Sequence, residues 1–168
     1  NSFILAFILV LAYMIVYYNR AGLVANFALI ANMFFLFGVL ASLGAVLTLP
    51  GMAGIVLTLG MAVDANVIIY ERIKEEIRAG KGMRLAITDG YKNAYSAIID
   101  GNVTTLLTGI VLYVFGTGPV QGFATTLIIG ILSSLFTAIF ISRMIFTWML
   151  NTNKKINFST KATANILA

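Results

Sequence analysis

Asp64 is the residue whose type and position could do chemistry. It lies in the stretch Gly60-Met-Ala-Val-Asp-Ala-Asn-Val-Ile-Ile-Tyr-Glu-Arg-Ile-Lys-Glu-Glu76, which begins deep in an apolar run and ends in dense charge. It is the only acidic residue inside any long apolar segment. An ionised carboxylate at the centre of a membrane helix costs about 2.5–3.5 kcal/mol on insertion scales. Either a partner offsets that cost or the group is neutral for part of its working cycle. A carboxylate withdrawn from water holds its proton more readily. In a first reading Asp64 therefore cycles between two protonation states, as intramembrane carboxylates in proton relays do. In a second it is structural, protonated and hydrogen-bonded across helices. A third, intramembrane aspartyl proteolysis, needs two carboxylates sharing a proton. Only one lies at depth here, and Val63 rather than Gly precedes it. The residues leave the first two readings open and give no basis for assigning an enzyme.

The elements that must position Asp64 follow from composition. Of 168 residues, 60% are hydrophobic and 10% charged, whereas soluble domains sit near half apolar and about a quarter charged. This is an integral membrane protein. Without cysteine or histidine it has no means to form disulfides, an ordinary zinc site or a Ser-His-Asp triad, and no cofactor or metal is expected. The first residue is Asn, and no basic region precedes the first apolar run. That run is not expected to be a signal peptide, and the chain reads as a piece of something longer.

A membrane helix needs roughly 20 mostly apolar residues. The spacing predicts an all-α, polytopic bundle of five transmembrane helices over residues 3–18, 23–49, 52–70, 98–115 and 120–143. Tyr17-Tyr18 and Trp148 fall where an aromatic belt belongs. Pro50-Gly51 and Gly116-Thr-Gly-Pro119 read as turns. Arg20 lies in the first loop. Arg72, Lys74, Arg78, Lys81, Arg84 and Lys92 lie in the third. Arg143, Lys154, Lys155 and Lys161 lie at or after the end of the last span. The loops around Pro50 and Pro119 have no Lys or Arg. All the positive charge is thus on one side, which the positive-inside rule makes cytoplasmic. The N-terminus is then outside and the C-terminus inside. This distribution argues against nucleic acid as the partner of the net charge of +5.

Residues 71–97 form the cytoplasmic segment between spans three and four. Glu71–Ala79 is expected to extend the third span as a solvated helix, ended by Gly80-Lys-Gly82. Its (i, i+4) pairs are Glu71–Glu75, Arg72–Glu76 and Lys74–Arg78, and two of the three are not attractive. Ile87, Tyr91, Ala94, Tyr95 and Ile98 then recur at helical spacing. They form an amphipathic stripe that lies at the membrane face or packs on other protein. Asp100 is placed to cap the fourth span. Residues 151–168 read as a cytoplasmic linker.

Small and hydroxyl residues recur every four positions within the spans. The third has Gly54, Thr58, Ala62 and Asn66, and the fifth has Gly122, Thr126, Gly130 and Ser134. Such spacing lets backbones approach closely and hydroxyls bond across helices. At about 1.5 Å per residue, Asp64 sits roughly 18 Å from Met52 and roughly 9 Å from Tyr70, too deep to reach water. No Lys or Arg lies at comparable depth, so Asp64 is expected to have hydroxyl and amide neighbours but no cation.

The Gly60–Glu76 stretch resembles the signature of the SecD family of protein-translocase subunits. So do Ile99-Asp-Gly-Asn-Val-Thr-Thr-Leu106 and Phe115-Gly-Thr-Gly-Pro-Val-Gln-Gly-Phe-Ala-Thr-Thr-Leu-Ile-Ile-Gly-Ile-Leu-Ser-Ser-Leu-Phe-Thr-Ala138. These matches are long, ordered and correctly spaced, and the whole chain is consistent with helices two to six of that family. The resemblance implies an RND-type fold, half of a pseudo-symmetric twelve-helix unit in the bacterial cytoplasmic membrane. It implies proton-motive-force-driven assistance to Sec-dependent export. Asp64 then lies in the proton pathway, and Gly60, Asn66, Asp100, Asn102, Thr104 and Thr105 of the matched stretches support it. Partners implied are a SecF half supplying the counterpart charges, the SecYEG channel, SecA, a YidC-type insertase and the exported unfolded polypeptide. Phe158-Ser-Thr-Lys161 resembles the join to a fused SecF half. A related RND drug or lipid transporter half, or an assembly module in which Asp64 only packs helices, is the alternative.

Overall fold

The computed structural model describes residues 1–152, and every element in them is helical. Helices α1 (Ser2–Tyr18) and α2 (Arg20–Ser42) meet at Asn19, whose backbone is left-handed at φ 54°. With ψ at −121° this is the first-corner geometry of a II′ turn, where Gly and Asn predominate, so two apolar helices join with no loop. Helices α3 (Leu49–Arg78) and α4 (Met83–Phe115) form a long hairpin around Gly80-Lys-Gly82. Helix α5 (Pro119–Phe136) runs through a π-helical turn, Thr137–Ile141, into α6 (Ser142–Asn151). Helices α2, α3, α4 and the continuous α5–α6 rod are long and apolar enough to cross a membrane. The fifth, α1, is apolar but 17 residues long.

Three expectations are corrected. The second span ends at Ser42, not Leu49, because the chain turns at Leu43–Thr48 with Gly44 at φ +62°. These turn residues are as apolar as the helix before them, so hydropathy does not mark the break. Pro50-Gly51 is correspondingly not the turn but the first turn of α3. Thr48 caps it, its Oγ1 accepting the Gly51 N–H at 3.1 Å, and a proline there loses no helical hydrogen bond. Lastly, residues 83–115 are one unbroken helix. Asp100 lies within it and caps nothing. The stripe of Ile87, Tyr91, Ala94 and Ile98 is buried against Ile69, Tyr70 and Ile73 of α3 and Phe146 of α6, while Tyr95 is exposed. Protein packing, not the plane of a membrane surface, accounts for the stripe.

Helix α3 is central, packing most extensively on α5 and then on α4. The four-residue ladders supply the α3–α5 seam. A Cβ on Gly54 would overlap Thr126 Oγ1, and one on Gly130 would overlap the side chain of Thr58. The expected bonding across this seam does not occur. Thr58, Thr126 and Ser134 each donate to a carbonyl of their own helix, which satisfies the hydroxyl and leaves the seam to van der Waals contact. Between other helices hydroxyl contacts do cross, that of Tyr18 to Glu71 among them. Ser133 Oγ donates to the Asn32 carbonyl at 3.3 Å, and the Tyr91 and Ser142 hydroxyls lie 2.7 Å apart.

The basic residues collect at one end of the bundle. Lys74 lies over Tyr17 and Tyr18, Arg84 Nη2 donates to Asn151 Oδ1 at 3.3 Å, and Arg143 lies over Tyr91. Lys154, Lys155, Lys161 and the Phe158–Lys161 motif fall outside the described residues.

Candidate functional site

Asp64 occupies the middle of α3, about 22 Å from Leu49 by helical rise, and it points away from the seam. Its immediate neighbours on the helix divide by face. Ala62, Ala65 and Asn66 are buried, whereas Val56, Gly60 and Asp64, spaced by four, form an exposed stripe. The carboxylate borders a groove of about 390 Å³ between α1 and α3. The groove is walled by Phe3, Phe7 and Val10 from α1, Leu29 from α2, and Leu59 and Val63 from α3. Apart from Asp64 that lining is apolar.

No cation lies near Asp64 among the described residues, and none of them donates a hydrogen bond to it. The expected hydroxyl and amide neighbours are therefore not there. Asn66, two residues on, is 3% exposed on the opposite side and donates to the Ala62 carbonyl at 3.0 Å. Gly60 lies one turn above Asp64 on the same face, and a Cβ there would meet nothing within 4 Å.

The other singled-out residues sit on α4. Asp100, Thr104 and Thr108 form an exposed polar row, with Ser96 Oγ donating to Asp100 Oδ2 at 3.4 Å. Thr104 and Thr105 donate to the carbonyls four residues back, at 3.0 and 3.1 Å. Asn102 Nδ2 donates to the Ile98 carbonyl at 2.7 Å. No hydrogen bond joins any of them to Asp64. The membrane-crossing part of α4 is also the least covered: 11% of its most apolar window is buried, against 44% for α2, α3 and α5–α6. This chain thus leaves two polar features, on α3 and α4, turned outward from its own core.

One charged cluster escaped the sequence reading. Lys74 is 5% exposed, with its ammonium 3.1 Å from Glu71 Oε1 and 4.9 and 4.6 Å from the ring centres of Tyr17 and Tyr18. The Tyr18 hydroxyl donates to the same Glu71 oxygen at 2.9 Å. Counting only (i, i+4) pairs made this surface look solvated. The (i, i+3) spacings Glu71–Lys74 and Arg72–Glu75 were the available signal, and both form ion pairs. Beyond them Lys81 bridges Glu76 and Asp89 across the hairpin turn. Those hydrogen bonds, Asp89 first, raise the Lys81 ammonium above its ordinary value.

An all-helical bundle with apolar outer faces and one outward-facing carboxylate at mid-helix defines the chain as part of a polytopic membrane domain. Residues 1–152 match the family model described as protein export membrane protein SecD/SecF, C-terminal. Protein translocase subunit SecD of Rhodothermus marinus is 54% identical over 89% of this chain, which spans 24% of that relative. The SecD of Magnetococcus marinus is 54% identical over 86% of the chain, which spans 28% of it. A crystal structure of SecDF in a super-membrane-facing form superposes with a TM-score of 0.85 at 42% identity, covering 89% of this chain and 21% of that one. SecDF from Thermus thermophilus, described as a translocon-associated membrane protein, gives 0.87 at 41% identity, covering 92% and 22%. The chain belongs to the SecD/SecF family of protein export membrane proteins. It spans about a quarter of the length of the curated relatives it matches.

Proposed function

We propose that this chain forms the proton-carrying part of the membrane domain of a Sec-pathway accessory subunit, with Asp64 as the carrier. The observation that carries this reading is the placement of Asp64: mid-helix, outward-facing and with no partner supplied by the described residues. A carboxylate there is too costly to leave ionised without company. A second helical half, of the SecF kind, is the natural source of a counter-charge, and the sparsely covered outer part of α4 gives it room to dock. Protonation removes the charge and changes how well that half packs, which biases a two-state equilibrium. One charge crossing 100 mV is worth about 2.3 kcal/mol, enough to shift such an equilibrium more than tenfold.

In this account the complete protein works in the bacterial cytoplasmic membrane, with the basic end of the bundle cytoplasmic and residue 1 of this chain on the outer side. It assists the SecYEG channel, SecA and a YidC-type insertase in drawing unfolded polypeptide outward, and it is not an enzyme. The test is proton-gradient-dependent export by the full-length protein carrying Asp64→Asn, measured alongside its level in the membrane. The proposal expects a normal level with export lost. Normal export would make Asp64 a packing residue.

A further inference from the structure

We propose that the cleft between α4 and α6, at the basic end of the bundle, binds one anionic phospholipid with its phosphate between Lys92 and Arg143. These two cations belong to different helices yet line the same cleft, of about 350 Å³. That volume falls within the roughly 300–1,000 Å³ of ordinary ligand sites. Both side chains are exposed, and neither has a carboxylate within ion-pair distance among the described residues. The chain has no acid placed to answer them. Its six acidic side chains all lie within the described residues. Glu71 pairs with Lys74, Glu75 with Arg72, and Glu76 and Asp89 with Lys81. Asp100 accepts from Ser96, and Asp64 borders the groove between α1 and α3. The counter-anion of the cleft therefore comes from outside these residues.

The cleft is sorted by polarity along the helix axes. Helix α4 runs away from the basic end and α6 runs toward it. Ile98 therefore lies about 9 Å deeper than Lys92 by helical rise, and Ile139 lies one turn deeper than Arg143. With Ile69 of α3 they give the cleft an apolar floor below its two cations. Tyr91 holds the middle. It is buried, its hydroxyl lies 2.7 Å from that of Ser142, and Arg143 rests over its ring at 5.9 Å from the centre. A guanidinium seated on such a platform is suited to take phosphate in bidentate fashion. Tyr95 lines the same cleft and is exposed, and a tyrosine there suits the headgroup level of a bilayer. Charge above and hydrocarbon below is the order in which a phospholipid presents itself, and basic pockets between transmembrane helices suit anionic headgroups. The competing sources of an anion are a soluble phosphate and a carboxylate on another helix of the full-length protein. A soluble phosphate would leave the isoleucine floor in water. A helix about 10–12 Å across, spanning Lys92 to Ile98, fills roughly 700–1,000 Å³, at least twice the cleft. A lipid headgroup with an acyl chain below it fits both the volume and the gradient. The inference does not rest on the role of Asp64.

The test uses the full-length protein, purified in detergent, stripped of lipid and titrated with phosphatidylglycerol, phosphatidylethanolamine or glycerol 3-phosphate by native mass spectrometry. The first phosphatidylglycerol is expected to bind more tightly than either other compound. Lys92→Gln and Arg143→Gln are each expected to weaken it about fivefold, and the double variant about 25-fold, with phosphatidylethanolamine binding unmoved. Helix content by circular dichroism establishes that each variant is folded. Should Arg143→Gln misassemble through its loss of contact with Tyr91, Lys92→Gln alone carries the test. Equal binding of phosphatidylglycerol and phosphatidylethanolamine, or wild-type phosphatidylglycerol binding by either folded variant, overturns the proposal. Glycerol 3-phosphate binding as tightly as phosphatidylglycerol overturns the lipid source and leaves a site for soluble phosphate. No phosphatidylglycerol binding by the parent overturns it in favour of a carboxylate from another helix.

Discussion

Gly130 of α5 lies directly against the side chain of Thr58 of α3, so close that a Cβ added to the glycine would overlap Thr58 Cγ2. Four residues earlier Thr126 stands in the same relation to Gly54. The two helices thus mesh through glycines on alternate sides, and this contact fixes the azimuth of α3, sending Asp64 outward and Asn66 inward.

Gly130→Leu is accordingly expected to destabilise the bundle by about 1–3 kcal/mol through overpacking, read as a lower midpoint of thermal unfolding in detergent. Gly60→Ala, where a Cβ meets nothing within 4 Å, is the control: it should not destabilise, and the helix should gain about 0.5–1 kcal/mol. Equal midpoints for Gly130→Leu and the parent would show that the helices do not mesh this way.

The Lys74 cluster ties α1 to the inner part of α3. Lys74→Met leaves Glu71 without its ammonium and empties the space over Tyr17 and Tyr18. About 1–2 kcal/mol of stability should go with it, since Glu71 is partly open to solvent and the pair is screened. Tyr18→Phe removes only the 2.9 Å bond to Glu71 and should cost about 1 kcal/mol. The check is equilibrium unfolding of both variants. Two costs near zero would mean that the cluster is solvated after all.

Lys81 gives the hairpin turn a definite pH response. Its folded value is raised, first by the hydrogen bond to Asp89 and then by that to Glu76. A raised base stabilises the fold fully below its unfolded value, about 10.4, and loses that contribution as pH climbs through the higher folded value. A spin-label distance between Arg78 and Arg84 positions should therefore hold steady from neutral pH to about pH 10 and broaden only above it. In Lys81→Met the distance should be broad at all these values. Broadening already near neutral pH would assign the order of the turn to other contacts.

Much of this architecture is legible in the residues, for reasons that mark its limits. Long apolar runs, the Gly80-Lys-Gly82 break and the four-residue small ladders are local patterns, and they locate the helices and the α3–α5 seam. The end of α2 is not legible from hydropathy, because Leu43–Leu49 stays apolar while Gly44 turns the chain at positive φ. The single helix of α4 is hidden by Asp100-Gly101, which looks like a boundary although the helix runs straight through it. The burial of Lys74 depends on tyrosines over fifty residues away in sequence, which no periodicity on α3 can reveal. For the candidate site, sequence placed Asp64 at depth. Helical spacing already sets Asn66 on another face from Asp64; what the sequence does not reveal is that α1 and α2 line the groove beside Asp64 with apolar side chains only.

The most direct test of the central claim is proton uptake by the full-length protein in sealed vesicles under an imposed gradient, followed by a pH-sensitive dye, with the parent beside Asp64→Asn. The account predicts gradient-dependent uptake by the parent and none above background in Asp64→Asn at equal protein level. Equal uptake by both would contradict it and remove Asp64 from the proton path.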